Sequence, residues 1–170
     1  MAAAAGCGDP PKGRRSPDKT IFETGNPVQE IWAIRLVLTK SGVKRVRIEA
    51  GHGSEYKTAD GVEHLLDSGI KATFFDGNGT LTTTVTAAKA KVHENHDIEI
   101  VGNVTLVSRG NTVMRTDYAR WTAKDSMIRS GSPVSISRPG EIIRGRGFET
   151  DQALTRYRIF QGSGEAVINK

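Results

Sequence analysis

The sequence predicts an all-β protein, an antiparallel β-jellyroll or splayed two-sheet meander with little or no helix. Three observations carry that prediction. Between Thr80 and Gln161, stretches of about a dozen alternating residues end again and again in a Gly, Asn or Asp turn, the spacing of consecutive hairpins. No proline occurs from Val28 to Ser132, as laddered strands require. Nowhere do apolar residues recur at spacings of three and four over three helical turns.

The elements follow in order. Residues 1–24 hold Pro10, Pro11 and Pro17 among Gly, Lys, Arg and Asp; this composition cannot bury a core and reads as a flexible tether. Residues 25–170 read as a single domain. The first strand, Gln29 to Thr39, is apolar on both faces, with Trp32, Ile34, Leu36 and Leu38 on one and Ile31, Ala33 and Val37 on the other. Lys40-Ser41-Gly42 turns it into Val43–Ala50, where Val46, Ile48 and Ala50 oppose Arg45, Arg47 and Glu49. Gly51-His52-Gly53-Ser54 reads as a tight loop, and residues 51–69 are the least regular part; Val62–Leu66 suits a short strand or one helical turn. Ile70–Asp76 alternates again and ends in the Asp76-Gly77-Asn78-Gly79 turn.

The second half is cleaner. Leu81, Thr83, Val85 and Ala87 form one face, then Ala88, Ala90 and Val92 take over, so the register changes near Ala87-Ala88, as a bulge would make it. Turns at His93–Asp97, Arg109-Gly110-Asn111, Ala123–Ser126, Pro139-Gly140 and Asp151-Gln152 separate the strands that follow. Those strands are 98–106, 113–122, 127–130, 134–137, 141–150, 154–160 and 165–169. After Thr116-Asp117 a second register change brings Ala119 and Trp121 to the inner face in place of Met114 and Thr116.

Composition narrows the function classes. At 170 residues, 25% charged and 36% hydrophobic with ten aromatics, the chain is one domain whose Thr, Val and Ile suit thin β structure. The net charge is +5; Lys12, Arg14, Arg15 and Lys19 against Asp9 and Asp18 contribute +2 of it. A mild excess of this kind suits an acidic partner such as phosphate groups or anionic lipid. No basic stripe interleaves with aromatics, so nucleic acid is not expected as a partner.

Two readings of the inner face are open. Ile48, Phe74, Val85, Ile100, Val104, Leu106 and Met114 lie on the apolar side of their strands. They form either the filled core of a sandwich or the walls of a groove that holds an acyl chain; small inner residues (Ala50, Ala72, Ala87, Ala90, Gly102) would leave room for the second. A closed core would instead suit a surface or glycan-binding module. No enzyme, cofactor or metal centre is expected. His93-Glu94-Asn95-His96 spaces its histidines three apart in a turn where a zincin helix needs four, and it reads as a solvated turn. Gly145-x-Gly147 lacks the strand-to-helix setting of a nucleotide fingerprint. Ala3-Ala4-Ala5-Gly6-Cys7 resembles the end of a lipobox, which makes Cys7 a candidate lipid anchor; an Ala-rich leader with an incidental cysteine is the alternative.

A resemblance sharpens these readings. Val85-Thr-Ala-Ala-Lys-Ala, Ile98-Glu-Ile-Val-Gly102-Asn103-Val104, Met114-Arg-Thr116-Asp117 with Trp121, Ser132-Pro133-Val134 and Ile143-Arg-Gly145-Arg-Gly147-Phe148, closing on Asp151, together resemble the OstA-like domain of the LptC and LptA family. The early strand pair around Trp32–Ala50 and the strand ending Phe74-Phe75-Asp76 are similar to LptC. The resemblance implies a jellyroll that accepts lipopolysaccharide acyl chains and passes them along a bridge toward the outer membrane. It implies an inner-membrane ABC transporter of the LptBFG type at the N-terminal edge, near Trp32 and Ile34. It implies an LptA-like bridge protein at the C-terminal edge, near Ala166, Val167 and Ile168. LptC is normally held by an N-terminal transmembrane helix; this chain shows only the candidate Cys7, so the expected place is the periplasm of a Gram-negative bacterium, at the inner membrane. A soluble LptA-like bridge subunit is the alternative.

Overall fold

In the computed structural model, which describes residues 25–166 and the side chains of residues 25–164, eleven antiparallel strands form one sheet. They are β1 (Gln29–Lys40), β2 (Val43–Thr58), β3 (Gly61–Asp67), β4 (Ile70–Phe75), β5 (Leu81–Ala87), β6 (Lys89–Val92), β7 (Ile98–Ser108), β8 (Val113–Thr122), β9 (Met127–Arg138), β10 (Glu141–Asp151) and β11 (Tyr157–Ala166). No helix occurs among the described residues. The far half of β2 pairs with β3 and its near half with β4, while β7 pairs in the same way with β6 and β5. Strands β3 and β4 therefore run end to end as one ribbon, as do β5 and β6. The described residues form a meander in which each ribbon lies beside the one before it.

Every ribbon breaks its ladder at the same level. The Ala33 level of β1 meets Gly51, whose N–H reaches the Ser68 carbonyl at 3.2 Å; the Ala88 N–H reaches the Gly102 carbonyl at 2.9 Å. Further along, register shifts lie between Val101 and Val104, between Thr116 and Arg120, and between Arg146 and Phe148. Left-handed backbone collects on this line at Ala33 (φ 54°), Ser68 (61°), Gly69 (91°), Gly102 (79°), Asn103 (50°) and Gly147 (73°). A bulge bends its strand and resets which side chains face inward. Aligned across the sheet, the bulges make a crease that divides it into two leaves.

The leaves close on one another over a single apolar cluster that includes Ile48, Leu66, Leu106, Met114, Ile128, Ile136 and Phe148. Phe74 of the first leaf meets Trp121 of the second edge to face, with ring centroids 5.7 Å apart. Thr83 donates its hydroxyl to the Gln152 carbonyl, and Arg45 reaches Gln152 Oε1 at 3.4 Å, so the first leaf also holds the β10–β11 turn of the second. Each large apolar side chain buried here stabilises the fold by about 1.5–3 kcal/mol.

Several expectations change. Residues 51–54 are strand, not loop: Gly51 sits on the crease, where a Cβ would come within 2.6 Å of the Ser68 carbonyl. Val62–Leu66 is strand. The two short strands around Pro133 are one strand, β9, with its register shift beside the proline. The last strand begins at Tyr157, not Leu154, because Leu154 (φ 56°) is buried in the turn; it then runs unbroken to Ala166. The crease also divides β1. Trp32 pairs with His52, whereas Ile31 shares the row of Gly53 and Leu66, so Trp32 does not share the inner face of Ile34, Leu36 and Leu38. Ala88 is exposed, and a Cβ on Gly102 would meet the Ala88 methyl at 2.8 Å, so neither belongs to the inner apolar face.

Candidate functional site

The inner surface is a set of continuous cross-strand rows. In the first leaf Leu36, Ile48, Ala72, Val85, Leu106, Met114, Ile136 and Ile143 stand opposite one another from β1 to β10. In the second leaf Gly53, Leu66, Ala90, Ile100 and Ala119 form one row, and Val92, Ile98, Trp121 and Ile128 another. Cross-strand neighbours of this kind are the unit of packing in a sheet. All seven residues expected on the apolar side (Ile48, Phe74, Val85, Ile100, Val104, Leu106 and Met114) lie in the interior, at 0–5% exposure. Ala50, Ala72 and Ala90 are buried with them, and Ala87 is partly so. The interior is filled by its own side chains in this closed arrangement.

Opposite the crease, the tips of the two leaves leave a mouth. A cavity of about 330 Å³ lies there, between Leu38–Lys40 and Arg45 on one leaf and Asn95, His96, Trp121, Ala123, Lys124 and Ser126 on the other. It backs onto Trp121, and through that ring onto Phe74 of the core.

Both outer edges of the sheet are open. Among the described residues β1 pairs only with β2, and β11 only with β10. Each therefore presents a row of unpaired N–H and C=O groups, the template for adding a strand from another chain. Trp32 is 67% exposed beside the first edge, its ring 5.3 Å from His52, while Ile34 packs partly against the core. The Ala166 backbone ends β11, paired with Glu141; Val167, Ile168 and Cys7 lie outside the described residues. Phe160, 59% exposed, is the large apolar side chain on the second edge.

The outer face of the second leaf carries an ionic cover that the sequence reading missed. His93 is not a solvated turn residue: its ring lies 3.0 Å from both Glu63 and Glu99. Lys91 pairs with Glu63 at 2.6 Å, Tyr118 donates to Glu99 at 3.2 Å, and Arg120 bridges Asp97 (2.8 Å) and Glu99 (3.3 Å). Burial raises the Asp97 carboxyl, but the Arg120 hydrogen bond, the Ala123 N–H, the Arg120 charge and the Asn95 side chain outweigh it and hold its pKa below the ordinary value. Burial, then the charge and hydrogen bond of Glu99, push Tyr118 up to about 12. The only signal in the sequence was a polar alternation at Lys91/His93, Asp97/Glu99 and Tyr118/Arg120. Among the described residues no group of three or more His, Cys, Asp or Glu side chains forms a metal site, and no helix is long and apolar enough to cross a membrane.

A family model described as "Lipopolysaccharide-assembly, LptC-related" matches residues 23–162, most of the chain and all but the end of its last strand. The chain belongs to the LptC-related family. No curated protein matches it in a sequence comparison. Membership makes it a cell-envelope protein of lipopolysaccharide transport, in a family of transport and bridge proteins and not of enzymes. The meander of antiparallel strands folded along a crease is the jellyroll-like form that the sequence led us to expect.

Proposed function

We propose that the apolar interior between the two leaves receives the acyl chains of lipopolysaccharide, and that this LptC-like chain passes them to an LptA-like bridge protein paired along β11. The observation that carries the reading is the continuous inner row from Leu36 to Ile143, which crosses eight strands without a charged side chain, from the open edge at β1 to β10, the neighbour of the edge strand β11. An acyl chain needs such a charge-free track, because each buried methylene gains about 0.8 kcal/mol while a buried unpaired charge is strongly unfavourable. In this reading β1 faces the inner-membrane transporter, and the protein works in the periplasm at the inner membrane, held there through a lipidated Cys7.

Site-specific photocrosslinking tests the track. A photoreactive residue at Ile100 or Val104 is expected to label lipopolysaccharide, and one at Thr105, on the opposite face of β7, is not. Thr105 is the better control than Glu99, which also faces outward but is covered by His93, Tyr118 and Arg120. Equal labelling from both faces would reject the interior as the lipid path.

A further inference from the structure

At the mouth between the leaf tips, hydrogen-bond donors are buried without acceptors. Arg45 Nε and Trp121 Nε1 have no partner among the described residues, and both side chains line the cavity of about 330 Å³. Trp121 is only 5% exposed, and Gln152, which receives the Arg45 guanidinium at 3.4 Å, has its own amide nitrogen buried and unpartnered. A buried donor without an acceptor is unfavourable and calls for an explanation. All three are donors and each calls for an acceptor; for Arg45 and Trp121, which line the same cavity, an oxyanion is an acceptor that also matches the arginine charge.

The charges around the cavity agree. Lys40 and Lys124, both exposed, line it from opposite leaves, and no ion pair is seen for either among the described residues. The nearby carboxylates are already engaged: Asp97 by Arg120 and the Ala123 N–H, Asp125 by Arg129. The remaining wall is mixed: Thr39, Asn95, His96 and Ser126 are polar, while Leu38, Ala123 and the Trp121 ring form an apolar part that leads to Phe74. A basic rim over an apolar throat fits a ligand with an anionic head and a hydrocarbon body.

We propose that this mouth binds the phosphate of a phosphorylated glycolipid, with Arg45, Lys40, Lys124 and the Trp121 indole N–H as donors and the acyl chains directed past Trp121 into the core. The proposal rests on the lipid-carrying reading above and adds to it the headgroup site and the end by which the lipid enters. It gives the lipid a fixed orientation, phosphate at the leaf tips and chain ends toward the crease.

The test titrates the full chain with diphosphoryl lipid A and with its dephosphorylated counterpart, and separately with inorganic phosphate. The Trp121 indole N–H resonance is followed, assigned against a Trp32→Phe variant. The expected result is a preference of about tenfold or more for the diphosphoryl lipid, the scale of one or two charge-assisted hydrogen bonds. The preference should vanish in the Lys40→Gln/Lys124→Gln variant and in Arg45→Gln, while affinity for the dephosphorylated lipid stays the same in the double lysine variant. The double lysine variant changes only exposed side chains, so its fold is a sound control should Arg45→Gln unfold. Equal affinity of the unmodified chain for both lipids would overturn the phosphate site and leave the acyl track standing. Failure of either lipid to bind would overturn the acyl track and this site with it. An equal shift of the indole resonance by inorganic phosphate alone would replace the lipid with a free anion as the ligand.

Discussion

Left-handed backbone at Ala33, Ser68 and Asn103 is costly for residues with a Cβ, of the order of 1 kcal/mol or more each, and persists only where surrounding structure enforces it. Here it places each strand's bend on one line, so the strain is shared by the feature that makes two leaves from one sheet. A second single-residue feature is testable by pH. Arg120 holds the largely buried Asp97 carboxylate at 2.8 Å, with Glu99 and Tyr118 alongside. Arg120→Gln is expected to lower stability at pH 7 by about 1–3 kcal/mol, the range for leaving a buried acceptor short of its partner. The folded pKa of Asp97 lies below its ordinary value of 3.8, so its contribution is complete above that value and is lost as pH falls through the lowered one. The gap between the two proteins in urea unfolding should therefore narrow below about pH 4. A gap of the same size at pH 3 and pH 7 would assign the effect to packing of the Arg120 side chain.

At the scale of the strand, the open edge at β11 carries the next prediction. Gly162, Ser163 and Gly164 near its end are small and exposed and add little apolar surface to the core. Deleting residues 162–170 is expected to abolish binding to an LptA-like partner while shifting the thermal midpoint by only a few degrees, as for a loss of about 1 kcal/mol or less. Unchanged affinity in a pull-down or titration would place the partner on the β1 edge instead. Most strands were legible in the sequence because a half-buried strand writes its period of two directly, as Leu81–Ala87 and Met114–Thr116 do. The turns were legible because Gly42, Gly79, Asn111 and Gly140 adopt the left-handed backbone that their residue types favour or tolerate. The crease was not, since Ala33 and Ser68 are residue types that rarely adopt a positive φ, and alternation on either side of a bulge looks like an ordinary strand. Gly51-His52-Gly53 read as a loop for the same reason. The pairing of His93 with Glu63 was also invisible, because it joins residues 30 apart through the register of β3 with β6.

For the whole molecule, the seven interior residues are right in orientation yet leave no open groove, since the leaves meet and bury them almost completely. If an acyl chain enters, the leaves must part, and the crease is the natural axis because the register shifts of the ladder lie along it. The contacts that resist parting are those at the tips: Thr83 with the Gln152 carbonyl, Arg45 with the Gln152 side chain, and Phe74 with Trp121. Joining the tips covalently should therefore keep lipid out without altering the interior. In a chain carrying Thr83→Cys and Gln152→Cys, with Cys7 replaced by serine, a short thiol crosslinker spans the two leaves where the Thr83 side chain already meets the Gln152 backbone. The expected outcome is a loss of at least about tenfold in lipopolysaccharide labelling from a photoreactive residue at Ile100, restored when a cleavable linker is reduced; tenfold corresponds to roughly 1.4 kcal/mol of differential stability between parted and closed leaves. The uncrosslinked double variant gives the baseline, so any effect of losing the Thr83 hydroxyl is subtracted. Labelling that is indifferent to the crosslink would mean that acyl chains enter from a sheet edge with the tips closed, and the hinge at the crease would then have no part in transport.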